Sequence, residues 1–248
     1  SIMAISGYKS LNYFNSIIRN TNVLGLVNKE SIVSAGHLFK SFKKKIYPLD
    51  SEHFSIYKFL KSYNNDLKIN KFILTASGGP FLGRSFFSLK NISFREASNH
   101  PKWNMGYKNS IDSATLVNKC LELIEAHYLF NLKYENLDIL IHPESKIHSI
   151  IEFQNYLYNL FYFHNDMEIP IYHFLNEKFN NNLINKNYSF KTNQKLEFLD
   201  VKNIQFPIYK FFKTINKKDP CNLIKFNIAN EYAVNLFKKN HIKYTDIY

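Results

Sequence analysis

The sequence predicts an α/β fold that opens on a parallel sheet. Three observations carry this. Short apolar runs alternate with helical patterns up to Leu49, in the β-α-β-α-β order of a parallel sheet. Hydrophobic residues make up 45% of the 248-residue chain, enough for a proper core. No uninterrupted apolar run approaches the roughly 18 residues of a membrane helix, so no span is expected.

The elements follow in order. Residues 1–6 read as a strand, Gly7 as a turn, and Leu11 to Arg19 as a helix. Val23 to Val27 reads as the second strand, Ser31 to Lys44 as the second helix, and Ile46 to Leu49 as the third strand. Phe72 to Thr75 is a further strand running into the turn Ser77-Gly78-Gly79-Pro80. Asp112-Ser113 opens the strongest helical pattern, with Ser113 as N-cap and an end near Phe130. Leu137 to Ile141 is a strand leading into His142-Pro143, and the aromatics of 157–163 read as core. Residues 177–202 are polar and rich in Asn and Lys, and read as a linker. A last helix begins near Leu223.

Lys+Arg total 32 against 20 Asp+Glu, a net charge of +12. The lysines are spread along the chain, and Lys43-Lys44-Lys45 and Lys217-Lys218 read as solvated faces. A nucleic-acid binder would cluster its cations among exposed aromatics, so that class is disfavoured. Two cysteines, Cys120 and Cys221, form no CxxC pair. This argues against a zinc site or a disulfide framework and for a reducing compartment.

Asp50 and Glu52 directly follow a strand, and on an extended chain that spacing aims both carboxylates to one side. Two hard oxygen ligands suit Mg²⁺ or Mn²⁺. Two acids after a strand are also ordinary surface. In the helix from Ser113, the helix start can hold an anion, Asn118 and Lys119 follow, and Glu122 shares a face with Asn118. Glu125 extends that stripe. A solvated face with a Lys119–Glu122 ion pair is the competing account. Ser77-Gly78-Gly79 offers a further anion cradle, without the Gly-Lys-Ser/Thr of a Walker loop. GxGxxG is missing as well. His100-Pro101-Lys102-Trp103 leads into Met105 and Gly106 and suits a lid. His142 and His148 flank Ser145 after a strand end, and each reads equally as a support to the site or as a structural residue.

The ordered set of motifs resembles the 1-deoxy-D-xylulose 5-phosphate reductoisomerase family. The matching stretches are LVNKESIVSAG (26–36), LDSEH (49–53), SGGPF (77–81), HPKWNMG (100–106), IDSATLVNKCLELIEA (111–126) and HPESKIHSI (142–150). ANEYAV (229–234) and YTDI (244–247) continue the likeness to the C-terminal end. The resemblance implies an NADPH-dependent, metal-dependent rearrangement and reduction of 1-deoxy-D-xylulose 5-phosphate. The product is 2-C-methyl-D-erythritol 4-phosphate, for isoprenoid biosynthesis by the non-mevalonate route. It implies Asp50, Glu52 and Glu122 as metal ligands for Mg²⁺ or Mn²⁺, and Lys29 and Ser51 at the substrate. Ser77, Ser113, Asn118 and Lys119 would form the phosphate pocket, with His100 closing over it. Lys29, Glu52, Glu122 and His100 are the implied catalytic residues. Asn28, Glu30 and Gly106 would touch NADPH, and Trp103 and Met105 would lie in a flap. A homodimer in a bacterial cytoplasm, or in a plastid-type organelle, is implied too, with no nucleic-acid or membrane partner.

The same resemblance divides the chain. Residues 1–49 would be the C-terminal part of a Rossmann-like NADPH domain, and 50–176 an α+β metal and substrate domain. Residues 177–202 would be the linker, and 203–248 the beginning of a helical domain. As it stands the chain is expected to bind NADPH poorly. Cys120 stands where the family usually has Gly. Phe163, Asn165 and Glu168 stand where Gly, Pro and Arg are typical. Ser51 would face away from its neighbours in a straight strand, so its role rests on the resemblance. A non-catalytic relic of the fold is the alternative, and the survival of all three carboxylates argues against it.

Overall fold

A computed structural model describes residues 1–5, 7–64, 66–101, 105–179, 189–190, 194–202 and 204–248. The first strands, β1 (Ile2–Met3), β2 (Leu24–Leu26) and β3 (Ile46–Pro48), form a parallel sheet in the order β1-β2-β3. Helix α1 (Leu11–Arg19) has its expected bounds and buries Phe14 and Ile18 against this sheet. The second helix differs from expectation. Helix α2 (Lys29–Ala35) starts earlier because the Asn28 side chain caps it, accepting from the Ser31 N–H at 2.8 Å. It ends at Gly36, where a Cβ would sit 2.7 Å from the Tyr128 ring. The lysine-rich stretch Lys40–Lys45 is a separate 3-10 run.

The chain after β3 is helical, not extended. Helix α3 (Ser51–Ser62) begins there and leads to β4 (Ile69–Ala76), the centre of a mixed sheet. Next come α4 (Phe94–Ala97), α5 (Tyr107–Thr115) and α6 (Val117–Phe130), then β5 (Leu137–Ile141), β6 (Ile147–Phe153) and β7 (Tyr158–Tyr162). With β8 (Leu199–Asp200) the sheet order is β7-β6-β4-β5-β8, and β4 runs parallel to β5 and antiparallel to β6. Helices α3 and α6 pack on this sheet over a core that includes Ile56, Leu74, Val117, Leu121, Ile124 and Ile151, all fully buried.

The helix expected from Ser113 is two helices. Leu116 takes a left-handed backbone, φ 67°, between α5 and α6, so Ser113 lies in the last turn of α5 and is no N-cap. The Leu116 side chain is 1% exposed, and its burial offsets a backbone conformation that costs about 1–3 kcal/mol. The aromatics of 157–163 also depart from expectation: Tyr158 and Leu160 on β7, and Tyr156 before it, are exposed, because β7 is the sheet's edge.

Helix α7 (Glu168–Phe179) takes up the first three residues of the expected linker, and Leu199–Asp200 form β8. Positions 180–188 and 191–193 lie outside the described residues, as does Trp103 of the expected flap. Helix α8 (Pro207–Thr214) and helix α9 (Pro220–Lys238) each open on proline. Asp219 caps α9, accepting from the Cys221 N–H at 2.9 Å, so the helix starts before Leu223. It packs on α2 and α5 and, through Val234 and Phe237, on the Tyr244–Ile247 turn. No helix among the described residues is long and apolar enough to cross a membrane.

Candidate active site

The strand-to-helix turn at residues 50–52 builds the first part of the site. Asp50 is the N-cap of α3, its carboxylate accepting from the Glu52 N–H at 3.2 Å. Asp50 and Glu52 therefore converge because the cap turns the chain, not because a strand alternates. The same turn brings Ser51 to the cavity wall, where its hydroxyl donates to Glu52. The left-handed break at Leu116 builds the second part. It starts a new helix whose first turn carries Asn118 and Lys119, with Glu122 one turn on.

These parts meet in a cavity of about 220 Å³. Lys29, Asp50, Ser51, Glu52, Ser77, His100, Ser113, Asn118, Lys119 and Glu122 all line it. One carboxylate oxygen each from Asp50, Glu52 and Glu122 lie within 4.8 Å of one another. The Lys29 ammonium donates to Asp50 at 3.2 Å, Glu122 at 2.9 Å and the Asn118 carbonyl at 2.8 Å. Lys119 donates to Glu52 and, at 2.5 Å, to Glu122. Glu122 is 1% exposed, so the solvated helix face is overturned: the i, i+3 pair exists but is buried.

Charge crowding governs the site. Burial works to raise the Asp50 pKa, but Lys29, His53 and Lys119 outweigh it and hold it well below the usual carboxylate range. Burial pushes Glu52 up to about 7, with Glu122 and Asp50 adding to the rise and Lys119 opposing it. Burial also works to lower Lys29 and Lys119, and the surrounding carboxylates outweigh it, so both ammoniums stay charged. Four acids, Asp50, Glu52, Glu122 and Glu125, thus face two lysines and His53. Three convergent hard oxygens fit Mg²⁺ or Mn²⁺.

The pH dependence of metal affinity follows from Glu52. Its raised pKa means it is protonated below about pH 7, and a ligand must be deprotonated to bind. Affinity for Mn²⁺ is therefore expected to rise with pH through 7, falling by up to about tenfold per pH unit on the acid side. Calorimetric Mn²⁺ titrations across that range check it, and a flat profile contradicts it.

Ser77 and His100 also line the cavity. The Ser77 hydroxyl meets His100 Nε2 at 3.0 Å and accepts from the Gly79 N–H at 3.1 Å. Ser113 and Lys119 line the same cavity. Burial, then Lys119, lowers the His100 pKa to about 4, so its imidazole is neutral near pH 7 and donates only one N–H.

Several features escaped sequence reasoning. His53 is fully buried, with Nδ1 3.2 Å from Asp50 and 3.4 Å from Glu125, and Nε2 2.9 Å from the Glu122 carbonyl. Burial works to lower its pKa, yet Glu125, Asp50 and Glu122 raise it to about 9, so it is an imidazolium tying α3 to α6. Its place three residues after Asp50, on the inner face of α3, was the available signal. Asn109 and Met167 also line the cavity. Of the two histidines that read equally as a support to the site or as structural, His148 lines it, stacked on Phe163 at 3.9 Å. His142 is not on that wall. It is bonded to the Glu197 carbonyl at 2.8 Å and stacked on Phe198. Nor do Asn28 and Glu30 reach the wall. Asn28 donates to Glu30 at 2.8 Å, and Glu30 pairs with Lys108 at 3.5 Å. Gly106 precedes α5, and among the described residues nothing lies within 4 Å of where a Cβ would be.

Known proteins resemble this chain in sequence and in fold. The family model described as 1-deoxy-D-xylulose 5-phosphate reductoisomerase C-terminal domain matches residues 46–130. A second, DXP reductoisomerase C-terminal domain, matches 164–248. The 1-deoxy-D-xylulose 5-phosphate reductoisomerase of Pelagibacter ubique is 40% identical over all of this chain and 64% of its own length. That of Sulfurihydrogenibium sp. is 41% identical over all of this chain and 66% of its own. A crystal structure of DOX-P reductoisomerase with NADPH, fosmidomycin and magnesium superposes on 99% of this chain and 64% of its own, at TM-score 0.89 and 36% identity. The Zymomonas mobilis enzyme with NADPH gives TM-score 0.86 at 33% identity, over 99% of this chain and 64% of its own. The chain thus spans just under two thirds of the length of these relatives.

Proposed function

Because this chain belongs to the 1-deoxy-D-xylulose 5-phosphate reductoisomerase family, we propose that it forms the metal and substrate site of an enzyme with that activity. The enzyme rearranges 1-deoxy-D-xylulose 5-phosphate and reduces the product with NADPH to 2-C-methyl-D-erythritol 4-phosphate. One observation carries the reading: a single cavity is lined both by three convergent carboxylates and by Ser77, His100 and Lys119. That is the layout a small sugar phosphate needs.

Asp50, Glu52 and Glu122 would hold Mg²⁺ or Mn²⁺, which supplies Lewis-acid polarisation of the substrate oxygens. Lys29, drawn into the carboxylate cluster, would swing its ammonium onto a substrate oxygen and steady developing negative charge there. Ser51 would orient the same end. Ser77, Ser113, Asn118, Lys119 and the neutral His100 would grip the phosphate, whose binding energy fixes the reacting end in place. The proposed NADPH contacts are Gly106, beside open space, and Asn28 and Glu30, which brace the segment carrying Lys29. The proposed division of the chain follows the two sheets. Residues 1–49 would close an NADPH domain, 50–176 carry the metal and substrate, and 203–248 begin a helical domain. A bacterial cytoplasm, where Cys120 and Cys221 would stay reduced, is part of the reading.

The test uses the natural protein that carries this chain. With Mg²⁺ or Mn²⁺ and deoxyxylulose phosphate, NADPH absorbance should fall. A folded protein that oxidises no NADPH sinks the reading.

The same protein is proposed to be a homodimer joined through β7. That edge strand presents Tyr158 and Leu160 to solvent, 56% and 43% exposed, with Tyr156 beside them at 89%. An apolar, unprotected edge invites a second strand. The double variant Tyr158→Lys/Leu160→Lys should sediment as a monomer in analytical ultracentrifugation. An unchanged dimer would move the interface elsewhere.

A further inference from the structure

We propose that a second cleft, away from the catalytic cavity, binds a compact polyanion bearing a diphosphate group. The cleft measures about 550 Å³ and lies among the C-terminal ends of α2 and α6 and the turn between α8 and α9. It shares no lining residue with the catalytic cavity.

Its charge is one-sided. Lys133, Lys217 and Lys218 line it together with His37 and His127. Among the described residues the lining holds one carboxylate, Glu135, which pairs with Lys133 at 3.5 Å while both stay about three-quarters exposed, so the attraction is weakly held and displaceable. Asp219, next along the chain, has a carboxylate oxygen committed to the cap of α9. Lys217 is anchored where it stands. Its ammonium donates to the Lys213 and Ile215 carbonyls at 3.2 and 3.3 Å and lies 4.7 Å from the Phe212 ring centre. An ammonium has three donors, so one is left for a ligand.

An independent observation points the same way. The Tyr134 hydroxyl and His37 Nδ1, on two residues of this lining, are buried and have no hydrogen-bond partner among the described residues. Buried polar atoms are rarely left unsatisfied without a reason. Tyr134 is also held in position by a stack on His127, with centroids 4.4 Å apart. Cations, unpartnered polar atoms and an aromatic wall together suit phosphate oxygens and leave room for a ring attached to them.

Calorimetric titration of the natural protein with inorganic pyrophosphate and with ADP tests this, in the absence of divalent metal. Pyrophosphate should bind, and the double charge reversal Lys133→Glu/Lys218→Glu, at two exposed positions, should weaken it by about tenfold or more. Lys119→Ala, which disables the anion wall of the catalytic cavity, should leave that binding in place. Binding that is absent at millimolar ligand, unaffected by the charge reversal, or lost in Lys119→Ala alone overturns the proposal. Where the site passes these tests, tighter binding of ADP assigns it to nucleoside diphosphates. Equal or weaker binding assigns it to the bare diphosphate group.

Discussion

Glu122→Gln in the natural protein is expected to lower turnover by roughly a thousandfold or more, with the fold retained. Glu122 is the most buried of the three converging carboxylates and the only one that both lysines contact. An amide keeps its shape but supplies no charge, and a metal site that drops from three anionic ligands to two loses several kcal/mol of charge stabilisation. Each 1.4 kcal/mol is tenfold, so a loss of about 4 kcal/mol gives the stated factor. The structural cost is smaller than for an isolated buried pair, where removing one partner costs about 3–5 kcal/mol. Lys29 keeps Asp50, Lys119 keeps Glu52, and Glu52 is relieved of a like charge that helps to push it up to about 7. Circular dichroism should therefore report a folded variant, while Mn²⁺ titration and the NADPH assay report the loss. A variant that turns over normally removes Glu122 from the metal set.

Wild-type turnover with a dead Glu122→Gln variant would tie the chemistry to residues that sequence reasoning reached only in part. The parallel β1-β2-β3 sheet was legible because strand and helix periods alternate cleanly there, and α1 and β5 took their expected bounds. What failed was local geometry set by caps and breaks. Asp50 looked like a residue on an extended chain, yet its carboxylate caps a helix that no apolar stripe announced: α3 buries Ser51, His53 and Ser55 along with Phe54 and Ile56. Ser113 looked like an N-cap, yet the true boundary is Leu116, a residue that rarely takes a left-handed backbone and does so here because its side chain is locked in the core. All ten residues expected at the metal and substrate line one cavity, whereas the geometry that makes them converge was not readable from spacing. His53 went unremarked for a related reason. Its value lies in a hydrogen bond with the Glu122 carbonyl and an ion pair with Glu125, some 70 residues away, which only the packing of α3 on α6 reveals.

Gly79→Ala is expected to cost roughly 2–5 kcal/mol of stability, while Gly78→Ala costs less. Both glycines have positive φ, 82° at Gly78 and 71° at Gly79, so each substitution carries backbone strain of about 1 kcal/mol or more. They differ in what a new Cβ meets. At Gly78 it would press on the Leu82 side chain, which can rotate away. At Gly79 it would lie 2.6 Å from the Ala114 Cα and 2.8 Å from the Ala114 nitrogen, and backbone inside a helix cannot yield. Overpacking of this kind adds about 1–3 kcal/mol. The contact also joins the two segments proposed to bind the phosphate, since Ala114 adjoins Ser113 and the Gly79 N–H donates to the Ser77 hydroxyl. Pushing the loop off α5 would part Ser77 from Ser113, so the KM for the sugar phosphate should rise even where folding is rescued by low temperature. Urea denaturation of both variants and a KM measurement below the melting transition provide the check. Gly79→Ala matching wild type in both would mean that the close approach of this loop to α5 is not what shapes the phosphate end of the cavity.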